Sequence, residues 1–329
     1  MKLCDLDELK QHKALLAFSH GSDSTALFHL LVEQGVDFDC ALVNYKIRPS
    51  SDEEEQNAKA LCQKYNKHFF SSAAPIFSSN FESNARAFRI EFFKKICSKH
   101  GYNALIFAHQ LNDAFEWMLM RLKRGAGLAN LLGFDEYLGN IRIFRPLLYT
   151  SKDEILEYLK TNKIKYFDDL SNYDEKFERN YIRRHFSSEF VKFAKLGLAR
   201  SFKALKADKI LLCEDFLYSN NNIFILKNSS LVINAADKAC KMLGVVLSAK
   251  QRELINTALN ERKDIVISHK IAFGVSESFV FIAPFCSCVL PKDFKEKCRK
   301  LKIPSKIRPY LFANYENFNS ICELIQKIQ

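Results

Sequence analysis

Five short apolar runs, at residues 15–18, 40–45, 67–71, 104–108 and 141–144, alternate with longer segments of helical periodicity. No other feature constrains the fold as tightly. Runs of four to six apolar residues are too short for helices and suit strands buried on both faces, and the amphipathic segments between them are long enough to cross back over a sheet. The alternation predicts an α/β fold, an open parallel five-stranded sheet with helices on both faces. Ligands of such sheets lie beyond the carboxyl ends of the strands. The unusual polar clusters fall there: residues 19–24 after the first strand, 44–48 after the second and 109–116 after the fourth. Further along, Ser151-Lys-Asp-Glu154 reads as a capping box that opens a helix, and Ile155, Leu156 and Leu159 keep helical spacing.

A polar loop over 168–176 follows, then a helical stretch over about 188–217. Strands at 223–226, 264–268 and 279–282 around a helix near 249–259 make the remainder a smaller α+β domain. At 329 residues, 48% of them hydrophobic, the chain exceeds one typical core and can bury two. The expected division is a catalytic domain over 1–190, a helical connection over 191–217 and a basic domain over 218–329. Residues 1–190 hold 26 Lys+Arg against 26 Asp+Glu and residues 191–329 hold 23 against 12, so the whole formal charge of +11 is C-terminal. A region for chemistry beside a region that holds a polyanion is one reading of this asymmetry; a solvated basic face is the other. The first residues lack the apolar run of a signal peptide and nothing approaches the roughly 18 apolar residues of a membrane span, so a cytoplasmic protein with no membrane partner is expected. The ten cysteines are scattered, and the closest pair, Cys286 and Cys288, has the spacing of neither a zinc knuckle nor a redox C-x-x-C. Incidental or buried thiols are expected.

The segment Leu15-Leu-Ala-Phe-Ser-His-Gly-Ser-Asp-Ser-Thr-Ala-Leu27 is a strand, a small polar turn and a helix start. Such a turn gathers backbone N–H groups and the positive end of a helix dipole, which suits a phosphate. It is not a Walker loop, because no G-x-x-x-x-G-K-[ST] occurs. Asp23 in an anion-binding turn makes sense where a magnesium ion or an adenylate is also held; an ordinary Ser-capped helix is the alternative. Over 109–124, helical spacing puts His109, Asp113 and Glu116 on one stripe and Leu111, Phe115, Met118 and Leu122 opposite. The apolar side is expected on the sheet and the ionisable side in the crevice, where two carboxylates and a histidine suit magnesium and a nucleophile. A solvated helix face is again the bland alternative. Neither Asp23 nor Asp113 is expected in the core. In the basic part, Lys297, Arg299, Lys300 and Lys302 within residues 292–302 are candidates to line a phosphate backbone.

Ser19-His-Gly-Ser-Asp-Ser24 resembles the S-G-G-x-D-S loop of the N-type ATP pyrophosphatases, the PP-loop superfamily. Val43-Asn-Tyr-Lys-Ile-Arg48, Glu82-Ser-Asn-Ala-Arg86-Ala-Phe-Arg89, the run from His109 to Gly133, and Asp169-Leu-Ser-Asn172 with Arg179-Asn-Tyr-Ile-Arg183 look like successive motifs of the tRNA(Ile)-lysidine synthases, in the right order. The resemblance implies a ligase forming a C–N bond. It implies that ATP adenylates the wobble cytidine of isoleucine tRNA with a CAU anticodon, releasing pyrophosphate. The ε-amine of free L-lysine then displaces AMP, leaving lysidine and changing the codon read from AUG to AUA. Ser19, His20, Gly21, Ser22, Asp23 and Ser24 are then the ATP-binding residues. Asp23, Arg86, His109, Asp113, Glu116 and Arg179 are the catalytic candidates, Asp23 and Asp113 the candidate Mg2+ ligands, and Arg121, Arg124 and Arg183 further tRNA contacts. A homodimer is left open.

Four positions depart from the family pattern. His20 stands for Gly, Tyr45 for the usual His, and Gln110 and Asn112 for the second His and first Asp of H-H-x-D-D. A histidine where the turn is made for glycine implies backbone strain. Two rival readings remain at this level: a tRNA-thiolating enzyme of the same superfamily, which the lack of any C-x-x-C pair disfavours, and a non-catalytic RNA-binding relative, for which the departures are the best argument.

Overall fold

The computed structural model describes residues 1–47, 51–77, 79–132, 134, 136–167, 176–212 and 215–328, apart from the side chains of Glu82 and Ile328. Arg48, Gly133, Cys213 and residues 168–175, which carry the Asp169–Asn172 motif, lie outside them. The chain divides into two compact units, Met1–Leu205 and Lys206–Gln329.

In the first unit the strands are β1 (Ala14–Ala17), β2 (Phe38–Asn44), β3 (Phe69–Ala73), β4 (Ala104–Ile106), β5 (Tyr137–Leu138) and β6 (Ile141–Phe144). The helices are α1 (Leu6–Leu9), α2 (Ser22–Glu33), α3 (Ser51–Lys64), α4 (Phe81–His100), α5 (Leu111–Lys123), α6 (Leu128–Leu131), α7 (Lys152–Thr161), α8 (Glu178–Ile182) and α9 (Ser188–Leu212), whose residues from Lys206 onward fall in the second unit. One π-helical turn, Arg183–Ser187, joins the last two. Strand order in the sheet is β3-β2-β1-β4-β6-β5. Five strands are parallel, and the sixth, β5, is an antiparallel edge of two residues paired to β6 across a tight turn. Gly139, at φ +64°, permits that turn. The third strand begins two residues later than its apolar run, because Lys67 N–H still closes the end of α3 on the Cys62 carbonyl.

Alternation along β1 covers both faces of this sheet. Ala14 and Leu16 join one core with Leu27, Phe28 and Leu31 of α2, and Leu15 joins another with Phe93 and Cys97 of α4. Each fully buried Leu or Phe here contributes roughly 2 kcal/mol. The chain runs outward from β1 to β3, then returns to start β4 on the other side of β1. The order therefore reverses between β1 and β4, and the crevice beyond their carboxyl ends is the place where such sheets bind ligands.

The second unit is an antiparallel sheet, ordered β7 (Tyr218–Asn220), β8 (Ile223–Lys227), β11 (Phe279–Pro284), β10 (Ile271–Val275), β9 (Ile265–Ile267). Helices α10 (Val232–Met242) and α11 (Ala249–Glu261) cover one face, and α12 (Lys292–Lys300), α13 (Arg308–Ala313) and α14 (Tyr315–Ile328) cover the other. Gly274 allows the second layer to close: a Cβ there would lie 2.5 Å from Pro304 Cβ.

Candidate active site

Beyond the carboxyl ends of β1 and β4 lies a cleft of about 920 Å³. The turn after β1 forms one wall. Gly21 caps α2 with extended backbone, Ser24 Oγ donates to the Gly21 carbonyl at 3.2 Å, and the Ser19 and Ser24 hydroxyls lie 3.1 Å apart. Phe167 N–H donates to the His20 carbonyl at 3.0 Å and fastens the turn from outside. The α2 N-terminus therefore opens into the cleft with Ser22, Asp23 and Ser24 on its first turn, a geometry suited to phosphate.

The turn after β4 forms the opposite wall and differs at one point from what helical spacing predicts. His109 is not on the helix: Gln110 is extended and caps α5, its side chain accepting from Asn112 N–H at 2.5 Å, while Asp113 Oδ2 accepts from Gln110 N–H at 3.0 Å. A reciprocal capping box starts the helix after His109. The apolar side of α5 also packs elsewhere than expected. Leu111 and Phe115 meet Val191, Leu198 and Phe202 of α9, not the sheet, and Leu122 is exposed. The three ionisable residues still reach one cleft.

Asp113 and Glu116 are buried, contrary to the expectation for Asp113. They meet two arginines four residues apart, hence on one face of the adjoining helical turn. Glu116 accepts from Arg179 Nε at 2.8 Å, from Arg183 Nε at 2.8 Å and from Arg183 Nη2 at 3.0 Å. Asp113 Oδ1 pairs with Arg179 Nη2. Burial by itself would raise the Asp113 carboxyl, but Arg179 and the Gln110 N–H outweigh it and hold the group ionised below its ordinary value. Burial likewise opposes the Arg179 charge, and Asp113 and Glu116 overcome it. At Asp23 burial prevails and raises the carboxyl, with Lys152 partly offsetting it.

His109 lies between Phe107 and Phe134, ring centroids 5.4 and 5.1 Å away, and its Nδ1 accepts from Arg145 Nε at 3.3 Å. Burial lowers its pKa to about 3, so the ring is neutral near pH 7 with its proton on Nε2.

The remaining candidates are distributed as follows. Arg86 is exposed and does not line the cleft; Arg89, three residues later on α4, does. Arg183 lies in the cleft on Glu116. Arg124 pairs with Glu178 at 2.7 Å, and the Arg121 guanidinium lies 5.0 Å from the Trp117 ring. Lys297, Arg299, Lys300 and Lys302 are exposed in the second unit, at and beyond the C-terminal end of α12. Residues not among the candidates are Arg89, although it ends the Glu82–Arg89 motif, Arg145 and Lys152. The last two follow β6, the fifth parallel strand, so the rule that singles out the ends of strands one, two and four also points to them.

Residues 2–190 match the PP-loop domain family. Over 322 residues the chain is 46% identical to the tRNA(Ile)-lysidine synthase of Campylobacter jejuni, covering 96% of this chain and 97% of that one. The Helicobacter hepaticus enzyme of the same name is 37% identical over 363 residues, 96% of this chain and 85% of its own. The chain belongs to the tRNA(Ile)-lysidine synthase family. Its members are ATP-using ligases that join lysine to tRNA(Ile). Among solved structures, the U34-tRNA thiolase NcsA from Methanococcus maripaludis shares the fold, with TM-score 0.52 and 18% identity over 60% of this chain and 74% of that one. No helix among the described residues is long and apolar enough to cross a membrane.

Against the family pattern, each departure has a local accommodation. His20 sits at φ +59°, the left-handed backbone that favours glycine, and its ring packs between Phe18 and Phe167 at 5.5 and 5.2 Å. Burial lowers its pKa. Tyr45 donates its hydroxyl to the Ala85 carbonyl at 3.2 Å, Gln110 caps α5, and Asn112 Oδ1 accepts from Lys152 N–H at 3.0 Å.

Proposed function

We propose that the cleft of the first unit adenylates the wobble cytidine of tRNA(Ile) bearing a CAU anticodon and then joins free L-lysine to it. The observation that carries this reading is the convergence of a phosphate-binding turn, Ser19 to Ser24, with the buried Asp113–Glu116–Arg179–Arg183 network in one cleft at the switch point. ATP enters with its phosphates on the turn. A guanidinium has five donors, so Arg179, oriented together with Arg183 by Glu116, can also donate to the α-phosphate as pyrophosphate departs. Glu116 therefore serves as an orienting anion. Both of its oxygens are engaged by guanidinium groups. Neutral His109, whose Nδ1 is engaged by Arg145, can donate a hydrogen bond from Nε2–H, and the amine of lysine attacks the adenylated cytidine to expel AMP.

Mg2+ fits this donor set as an ion brought by ATP, because magnesium is commonly held by one or two carboxylates plus substrate phosphates. Asp23 is the residue that would hold it, and its chemistry there is to neutralise phosphate charge. Asp113 is a poorer ligand, since Oδ1 meets Arg179 and Oδ2 the Gln110 N–H. Among the described residues, no group of three or more His, Cys, Asp or Glu is disposed to hold a metal and no cysteine lines the cleft, which favours an amine nucleophile over sulfur. The exposed basic residues of α12 contribute to holding the tRNA body.

Mass spectrometry of tRNA(Ile) after incubation with ATP and lysine tests the reaction. The expected product is heavier by one lysine less one water, and tRNA of unchanged mass with no AMP formed overturns it.

A further inference from the structure

A phosphate-binding turn that lacks the lysine of a Walker loop still has to meet the charge of a triphosphate. Here a lysine reaches it from another part of the chain. Lys152 Nζ lies 2.6 Å from Ser22 Oγ and 2.6 Å from Asp23 Oδ1. Two contacts fix where the side chain starts. Lys152 is the first residue of α7, held by the Ser151–Glu154 capping box, and its own N–H donates to Asn112 Oδ1. The ammonium thus stands beside the N-terminus of α2, on the rim of the cleft that holds the phosphate-binding turn.

A simple tether between α2 and α7 explains this poorly. Leu27 and Leu31 of α2 already share a core with Ile155 and Leu159 of α7. The ion pair itself is 33% exposed at Lys152 and 28% at Asp23, so solvent screens much of it. A cation on the first turn of a helix is also placed against the helix dipole. A residue that breaks a local rule in this way, and points into a cleft, is better explained by an anionic ligand than by the fold.

We propose that Lys152 is the triphosphate-binding cation of this cleft, supplied from α7 and held at phosphate level by Ser22 and Asp23. The inference rests on the ATP reading above. Lysine acts on phosphate as a point charge, so methionine, of similar reach but uncharged, removes the interaction, and arginine retains the charge in a different shape.

The test is calorimetric titration of the full chain with ATP and, separately, with adenosine, for wild type, Lys152→Met and Lys152→Arg, with thermal unfolding recorded alongside. Lys152→Met is expected to weaken ATP roughly 10- to 100-fold while leaving adenosine within about twofold, and Lys152→Arg to recover part of the loss. Equal ATP affinity in wild type and a folded Lys152→Met overturns the proposal. So does an equal loss for ATP and adenosine, the signature of a tether whose removal disorders the cleft. If Lys152→Met does not fold, amine acetylation of the wild-type protein decides: ATP, but not adenosine, should protect Lys152, and labelling indifferent to ATP overturns the assignment. Wild-type protein that binds adenosine but not ATP sinks the ATP reading itself, and this inference with it.

Discussion

Glu116 and Lys300 are both charged residues on helices, yet their surroundings differ in every respect that governs electrostatics. Glu116 is fully buried, shares two arginines with Asp113 and has both oxygens engaged. Lys300 is exposed, among neighbours whose pairings are long and open to water: Arg299–Glu296 and Lys302–Glu277 are both 3.4 Å, with the basic side chains 71% and 67% exposed. In the cleft each charge replaces the solvation of its partner, so none can be removed alone. On α12 water solvates each charge, so the residues are interchangeable and act by number.

Glu116→Gln attacks this contrast at its strongest point. The shape is kept, but Arg179 and Arg183 lose the carboxylate they share at Glu116 and keep Asp113. Breaking a buried pair costs about 3–5 kcal/mol, and losing preoriented donors costs about 10²-fold or more in rate. A clear fall in unfolding temperature and a loss of AMP formation are expected. A variant with wild-type stability and rate would show that the network is no more than a surface feature.

Next in size is a pH effect. His109 has a pKa of about 3 in the folded chain, against 6.5 for an exposed imidazole. Between these values the unfolded chain takes up a proton that the native chain does not. The stability due to neutral His109 is therefore complete above about pH 6.5 and is lost as pH falls toward 3, at up to about 1.4 kcal/mol per pH unit. Denaturation of wild type and His109→Gln across this window checks it. The variant should show the shallower decline, and parallel curves would mean that His109 is open to solvent.

Asp113 separates two smaller effects. Asp113→Asn keeps an acceptor for the Gln110 N–H and removes the charge facing Arg179, whereas Asp113→Ala removes both. The difference in their stabilities should be about 1 kcal/mol, the worth of a helix cap, while AMP formation should fall in both. Equal stability of the two variants would remove the cap from the account.

What the sequence discloses follows the range of the interaction concerned. The parallel strands are legible because each is a contiguous apolar run, and the polar turn over residues 19–24 because its residues are consecutive. Asp113 and Glu116 share one helix turn, so spacing alone pairs them. Spacing also puts His109 on the helix, wrongly, because the capping box that excludes it depends on a glutamine, an uncommon cap. The strand-end rule reaches Arg145 and Lys152, but their partners stay hidden, because only the crossing of the chain from β3 to β4, and on to β6, brings them beside residues 109 and 23. In the second unit β10 is hidden because Gly274 interrupts its pattern, and that glycine answers to Pro304, thirty residues away.

The smallest effect on the fold, and the opposite pole of the comparison, belongs to Lys297, Arg299, Lys300 and Lys302. Phe294 and Cys298 anchor the inner face of α12, and none of the four basic residues is needed for that packing. Changing all four to Ser should therefore shift stability by no more than about 0.5 kcal/mol per position. Their contribution is to be read from tRNA. Cations that bind phosphates release counterions, so log K falls with log salt in proportion to their number, and removing one such cation should flatten that slope by a little under one. Affinity should drop for many tRNAs alike, since phosphate contacts carry no sequence information. AMP formation at saturating tRNA should persist, because the four residues belong to the second unit and the proposed phosphate-binding turn to the first. Binding of wild type and the fourfold variant, measured from low to moderate salt with tRNA(Ile) and an unrelated tRNA, distinguishes the outcomes. An unchanged slope makes α12 a solvated face, and a loss confined to tRNA(Ile) would mean that these side chains read the tRNA and do not merely hold it.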